Sequence, residues 1–113
     1  MRLDHFSVAF LTLNDDRPSL SALEADELQN SHMAHLADLH DAGHLLVAGP
    51  LEDDHFRGLC IFKVTEAAAR RLLEEDPAVR AGRFNVTIIP WVVPEGTLAF
   101  STARFPRSIA DVE

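Results

Sequence analysis

Residues 32–51, HMAHLADLHDAGHLLVAGPL, change their repeat partway along. Up to Gly43 the apolar positions return every three or four residues, which is the period of a helix. After it, residues 44–49, HLLVAG, form a short apolar run of strand composition closed by Pro50. Gly43 is the natural stop, because glycine adopts at little cost the left-handed conformation that closes a helix. A helix that turns directly into a strand is therefore expected at the centre of the chain.

Working back towards the N-terminus, Ala25, Leu28, His32, Leu36 and Leu39 continue the same stripe, with His32 near its middle. Ser21-Ala22-Leu23-Glu24 has the Ser-x-x-Glu spacing in which two side chains satisfy free backbone amides at a helix start. Asn30 and Ser31 are poor helix formers, so the pattern allows either one helix or a short helix followed by a main one, the main one carrying His32 in its first turn. Before the turn-like Asn14-Asp15-Asp16-Arg17-Pro18, residues 5–13, HFSVAFLTL, read as a strand with Phe6, Val8 and Phe10 on one face.

In the other direction, residues 57–64, RGLCIFKV, form a strand that pairs as a hairpin with 44–49 across a polar loop. Thr65 caps a helix over 65–75, and Asp76-Pro77 ends it. Residues 84–93, FNVTIIPWVV, form the last strand, at an edge or with a bulge, because Pro90 has no amide to donate. The order β-α-β-β-α-β predicts an α+β fold of ferredoxin-like type, an antiparallel sheet with two helices on one face. Residues 1–93 make one domain. Residues 94–113 lose periodicity and are expected to be a tail, with Leu98, Ala99 and Phe100 able to add one short strand or clasp a neighbouring subunit. A second copy packed on the bare sheet face would hide its apolar surface, so a homodimer is expected.

A chain of 113 residues, 47% of them hydrophobic, is large enough to bury a core without metal or disulfide. Eighteen acidic against ten basic residues give a net charge of -8, which repels phosphate backbones and anionic lipid. Nucleic acid and membrane are thus not expected as partners. Cys60 has no second cysteine to pair with and lies in the apolar run Leu59-Cys60-Ile61-Phe62, as a small buried hydrophobe would. With charge and a histidine in Met1-Arg2-Leu3-Asp4-His5 and no apolar stretch of spanning length, a cytoplasmic setting is expected.

A histidine centred on an apolar stripe faces a core or a cleft, where an unpartnered imidazole costs on the order of one to several kcal/mol. Asp76, at the end of the second helix, is available as an acceptor. A carboxylate on one ring nitrogen fixes the tautomer and leaves the other free to take a proton from a substrate, which is general-base chemistry. The competing reading is a satisfied core histidine whose partner locks two helices together. His35, one turn on, lies at the edge of the stripe, either within reach of a ligand or half-exposed on the surface. His32 and His35 have a spacing that one metal ion accepts, with His40 and His44 further along. His40 projects from the opposite flank, though, and no Cys pair or Glu-x-x-His element completes a ligand set, so no metal site is expected. Glu74-Glu75-Asp76 is otherwise a solvated helix end.

Residues 32–51 together with residues 74–91, EEDPAVRAGRFNVTIIPW, resemble the YCII-related family: a His-led helix, a Gly-x-Leu-x-x-Ala-Gly-Pro strand exit, and Asp-Pro-x-x-x-Ala-Gly before the last strand. The resemblance spans most of residues 1–92 and does not extend past Trp91. It implies a dimeric α+β barrel similar in architecture to muconolactone isomerase, with His32 and Asp76 as an active-site dyad. It also implies that Pro50 lies near the barrel mouth, as a pocket residue or as a rigid turn ending the strand. One branch that it resembles removes chloride from a chlorinated hydroxyhydroquinone. The expectation is a small-molecule enzyme of lyase or isomerase type, needing no cofactor, in which His32 takes a proton and Asp76 orients it. The alternatives are a ligand-binding or accessory module of the same fold and an oxygen-using monooxygenase-like barrel acting on a quinol.

Overall fold

The computed structural model describes all 113 residues. In chain order the elements are β1 (Leu3–Leu13), α1 (Ala22–Asp41), β2 (Leu45–Pro50), β3 (Phe56–Phe62), α2 (Glu66–Glu74), α3 (Pro77–Arg80) and β4 (Phe84–Pro94), with a 3-10 turn at Ile109–Asp111. The strands lie in the order β2-β3-β1-β4 and every neighbouring pair is antiparallel. This is the ferredoxin-like α+β arrangement read from the sequence. β4 pairs only with β1, so Pro90 sits on an edge strand, where a missing amide is tolerated.

Both ends of α1 are set by local chemistry. The Glu24 amide donates to Ser21 Oγ and the Ser21 amide donates to Glu24 Oε1, at 3.1 and 3.0 Å, closing the expected capping box. At the far end Gly43 takes φ 83°, and the amides of Gly43 and His44 reach back to the carbonyls of His40 and Leu39. This pair of bonds turns the chain straight into β2.

Between these ends the helix runs unbroken for 20 residues. Of the two readings left open at Asn30-Ser31, the split does not occur, and His32 falls mid-helix rather than in a first turn. The intrinsic penalty of two poor helix formers is only about 0.5 kcal/mol each. Both side chains are moreover occupied: Ser31 Oγ donates to the Glu27 carbonyl, and Asn30 Oδ1 accepts from the Ile109 amide.

The main core lies between sheet and helices, with Ala9, Leu11, Cys60, Phe62 and Ile88 of the sheet against Leu39, Ala69 and Leu73 of the helices. Alternation along the strands sends Phe6, Val8 and Phe10 to the other face. There Phe6 opposes Trp91 and Val8 opposes Ile89 across the β1–β4 ladder. Phe6 joins Leu46 and Val93 in a second small cluster, while Val47, Ile89 and Trp91 stay 41–50% exposed. In the single chain no element covers this face.

After β4 the chain turns at Gly96, whose amide donates to Asp4 Oδ2, and leaves the sheet. No strand forms over Leu98–Phe100, contrary to one of the two expectations for the tail. Leu98 packs against the Phe6, Leu46 and Val93 cluster, and the chain beyond it finds its cover on α1. Phe105 stacks on the His40 ring at 4.1 Å, and Arg107 pairs with Asp38 and Asp41.

Candidate active site

The central turns of α1 and the start of α3 meet beside the sheet, which is how His32 reaches Asp76 across 44 positions of sequence. His32 Nδ1 lies 2.8 Å from Asp76 Oδ2, with the His32 side chain 9% exposed and that of Asp76 fully buried. An ionised carboxylate can only accept, so the ring proton sits on Nδ1 and Nε2 carries the free lone pair. Nε2 has no protein partner and is not among the sealed polar atoms, so it remains reachable from outside.

Asp76 departs from the usual habits of its position. It occupies the N-cap of α3, where an aspartate side chain normally accepts a backbone amide and contributes about 1 kcal/mol. Here the side chain makes no capping bond. Oδ2 is given to His32, and Oδ1 is buried with no partner. An unpaired buried carboxylate oxygen costs on the order of 1–3 kcal/mol. The imidazole is thus the only polar contact of a charge held out of water.

Next to this pair lies a cavity of about 550 Å³ whose walls include His32, Met33 and Leu36 of α1, Leu11 and Cys60 of the sheet, and Phe84 at the start of β4. The size falls within the roughly 300–1,000 Å³ of small-molecule pockets, and the walls are mostly apolar with a few polar groups. Cys60 is no competing nucleophile. Burial, assisted by the nearby Asp76 charge, pushes its thiol up to about 12, so it stays protonated.

Of the other residues singled out from the sequence, Pro50 lines the cavity, at the point where β2 ends opposite Gly58. His35 does not line it. Its Nε2–H donates to the Leu72 carbonyl at 2.8 Å, tying α1 to the end of α2. His40 likewise donates from Nδ1 to the Leu45 carbonyl, and no three His, Cys, Asp or Glu side chains converge as a metal centre would need.

Several wall residues escaped the sequence reading. Phe105, Ile109 and Val112 of the tail close one side of the cavity, and Arg57, Arg83 and Gln29 add its remaining polar groups. For the tail a signal existed, since three apolar side chains recur in a stretch otherwise rich in charge and proline. For the arginines there was none, because an isolated arginine at a strand end reads as surface.

The fold and this site define a small α+β domain with a histidine–carboxylate pair at the wall of an apolar cavity. The chain belongs to the YCII-related domain family, whose model matches residues 8–92. Among solved structures it is similar to 5-chloro-2-hydroxyhydroquinone dehydrochlorinase from Burkholderia phenoliruptrix, determined in complex with 2,5-dihydroxybenzoquinone. That likeness has a TM-score of 0.56 at 18% identity, over 76% of this chain and 92% of the other, and it shows the shared fold. No curated protein matches the sequence. The matched segment ends before the tail that closes the cavity. No helix is long and apolar enough to cross a membrane.

Proposed function

We propose that the protein is a cofactor-independent enzyme of lyase or isomerase type, acting on a cyclic or aromatic breakdown product, with His32 as general base and Asp76 as its orienting partner. The observation that carries this reading is the 2.8 Å contact between His32 Nδ1 and Asp76 Oδ2 at a cavity wall, with Nε2 left unpartnered. An imidazole held on one side and open on the other is placed to accept a proton from a bound molecule.

Proton removal by Nε2 from a tetrahedral ring carbon, as in the keto tautomer of a hydroxylated ring, leaves an electron pair that has two outlets. With a chloride on the neighbouring carbon, the pair forms the new double bond and chloride departs with its own bonding electrons, giving net loss of HCl. With a carbonyl alongside, the pair moves into an enolate, and the imidazolium returns the proton to a different carbon, giving an isomer. In both cases the positive charge gained by His32 is met by the buried carboxylate. The similar fold of a dehydrochlorinase favours the first outlet by analogy.

The same reading includes a homodimer formed through the bare sheet face, where Val47, Ile89 and Trp91 remain about half exposed. The test of the enzyme reading is turnover on a panel of chlorinated and hydroxylated aromatics, followed by chloride release and by absorbance. Activity should fall at least a hundredfold in both His32→Ala and Asp76→Asn, in keeping with the 10²–10⁴-fold weight of general-base catalysis. Tight binding of panel members without turnover would instead make the domain a ligand-binding module.

A further inference from the structure

Among the side chains that line the cavity there is no aspartate or glutamate, although the chain carries eighteen of them and a net charge of -8. The charged groups in the wall are two arginines, Arg57 at the start of β3 and Arg83 just ahead of β4. Neither makes an ion pair, whereas Arg107 on the surface engages two aspartates. Arg57 Nη1 donates only to the Asp53 backbone carbonyl, at a long 3.3 Å. The Asp53 carboxylate is held chiefly by the amides of Phe56 and His55, and the Arg57 charge adds only a weaker attraction at a distance, without an ion-pair contact. The Arg83 guanidinium lies 5.6 Å from the centre of the Phe84 ring, and the other side of the same neighbourhood holds His32, whose ring is 5.9 Å from Phe84.

We infer that the cavity selects small ring compounds carrying a negative charge, a carboxylate or an acidic enolate or phenolate, and that Arg57 and Arg83 are the groups that recognise it. Guanidinium groups with no ion-pair contact in a protein with a surplus of carboxylates keep their donors available, and their planar fork matches an oxyanion. The apolar walls strengthen that attraction at the half-buried Arg83, and less at the exposed Arg57. Asp76 sets where the charge goes. Its buried carboxylate repels an anion brought up to His32, so the charged end of the ligand is directed to the arginines and an uncharged carbon is left facing Nε2. The same two cations then meet the oxyanion that forms when that carbon loses its proton.

The inference rests on the small-molecule reading of the cavity, and its test is a binding measurement that requires no turnover. The probes are 2,5-dihydroxybenzoate and its neutral isostere 2,5-dihydroxybenzamide, titrated by calorimetry at pH 7.5 into the full-length protein. The acid is expected to bind at least roughly tenfold more tightly than the amide, the size of one charge-assisted hydrogen bond. Arg57→Gln and Arg83→Gln should each remove most of that preference by weakening the acid far more than the amide, while Arg57→Lys retains part of it. Should Arg83→Gln fail to fold by circular dichroism, the exposed Arg57 carries the test alone. Equal binding of acid and amide, no binding of the acid at millimolar concentration, or variants that weaken both ligands alike would overturn the inference. An anion preference without turnover on any substrate would overturn the enzyme reading and leave this one standing. Turnover of neutral substrates without the preference would do the reverse.

Discussion

His32 and Asp76 are joined at 2.8 Å, and the second oxygen of Asp76 is buried with nothing to bond. A pair built for stability would leave no oxygen orphaned, because removing a carboxylate from water is recovered only when all its lone pairs are used. Replacing both residues at once, as in His32→Leu with Asp76→Leu, is therefore expected to leave the melting temperature unchanged or to raise it. His32→Ala alone strands the charge and should cost about 3 kcal/mol. A double variant that melts well below the parent would show that the pair is a structural lock.

Cys60 gives the protein a defined alkaline weakness. Its thiol is pushed from the ordinary 9.0 to about 12, chiefly by burial and then by the Asp76 charge. A raised folded value means that the unfolded chain loses its proton first, so the contribution is whole below pH 9 and is lost as pH rises towards 12. The expected slope is on the order of 1.4 kcal/mol per pH unit. With no tyrosine and a single lysine in the chain, little else titrates in that window. Urea midpoints measured from pH 8 to 11 should decline in the parent and decline less in Cys60→Ala. Parallel curves for the two proteins would rule this out.

Phe105, Ile109 and Val112 close the cavity without belonging to the buried core, although Phe105 packs against it. Ending the chain after Ser101 should preserve the circular dichroism spectrum and weaken binding of the 2,5-dihydroxybenzoate probe by roughly tenfold. That corresponds to the loss of ~55 Å² of apolar contact at about 25 cal/mol per Å². Affinity equal to that of the full chain would mean that the tail merely rests on α1.

Trp91 is 41% exposed on the sheet face opposite the helices and is the only tryptophan, so it reports on that face directly. In the proposed homodimer its emission should shift to the red on dilution as the sheet face becomes wet. Ile89→Asp should give a monomer by sedimentation at every concentration. A parent protein that sediments as a monomer at 100 μM would remove the dimer from the proposal.

The sequence was most informative where a physical preference acts over a few residues. Ser21 and Glu24 close the start of α1, Gly43 its end, and Thr65 caps α2 through the Ala68 amide, each through bonds spanning five positions or fewer. Strand alternation and the edge position of Pro90 follow from equally local rules. The same reasoning left open whether the helix breaks at Asn30 and Ser31. There a small local penalty was outweighed by the packing of the whole helix face, and one of the two side chains is engaged by a residue 79 positions away.

What the chain determined by itself was the list of elements, their order, and the inward placement of His32 on an apolar stripe, because backbone geometry and hydrophobic periodicity are properties of short stretches. Only the tertiary structure decided which partner His32 meets, that His35 is a tether between helices, and that Arg57, Arg83 and the tail wall the cavity. Those contacts join residues tens of positions apart. Their energies depend on the angle at which helices cross a sheet, and no spacing along the chain encodes that angle.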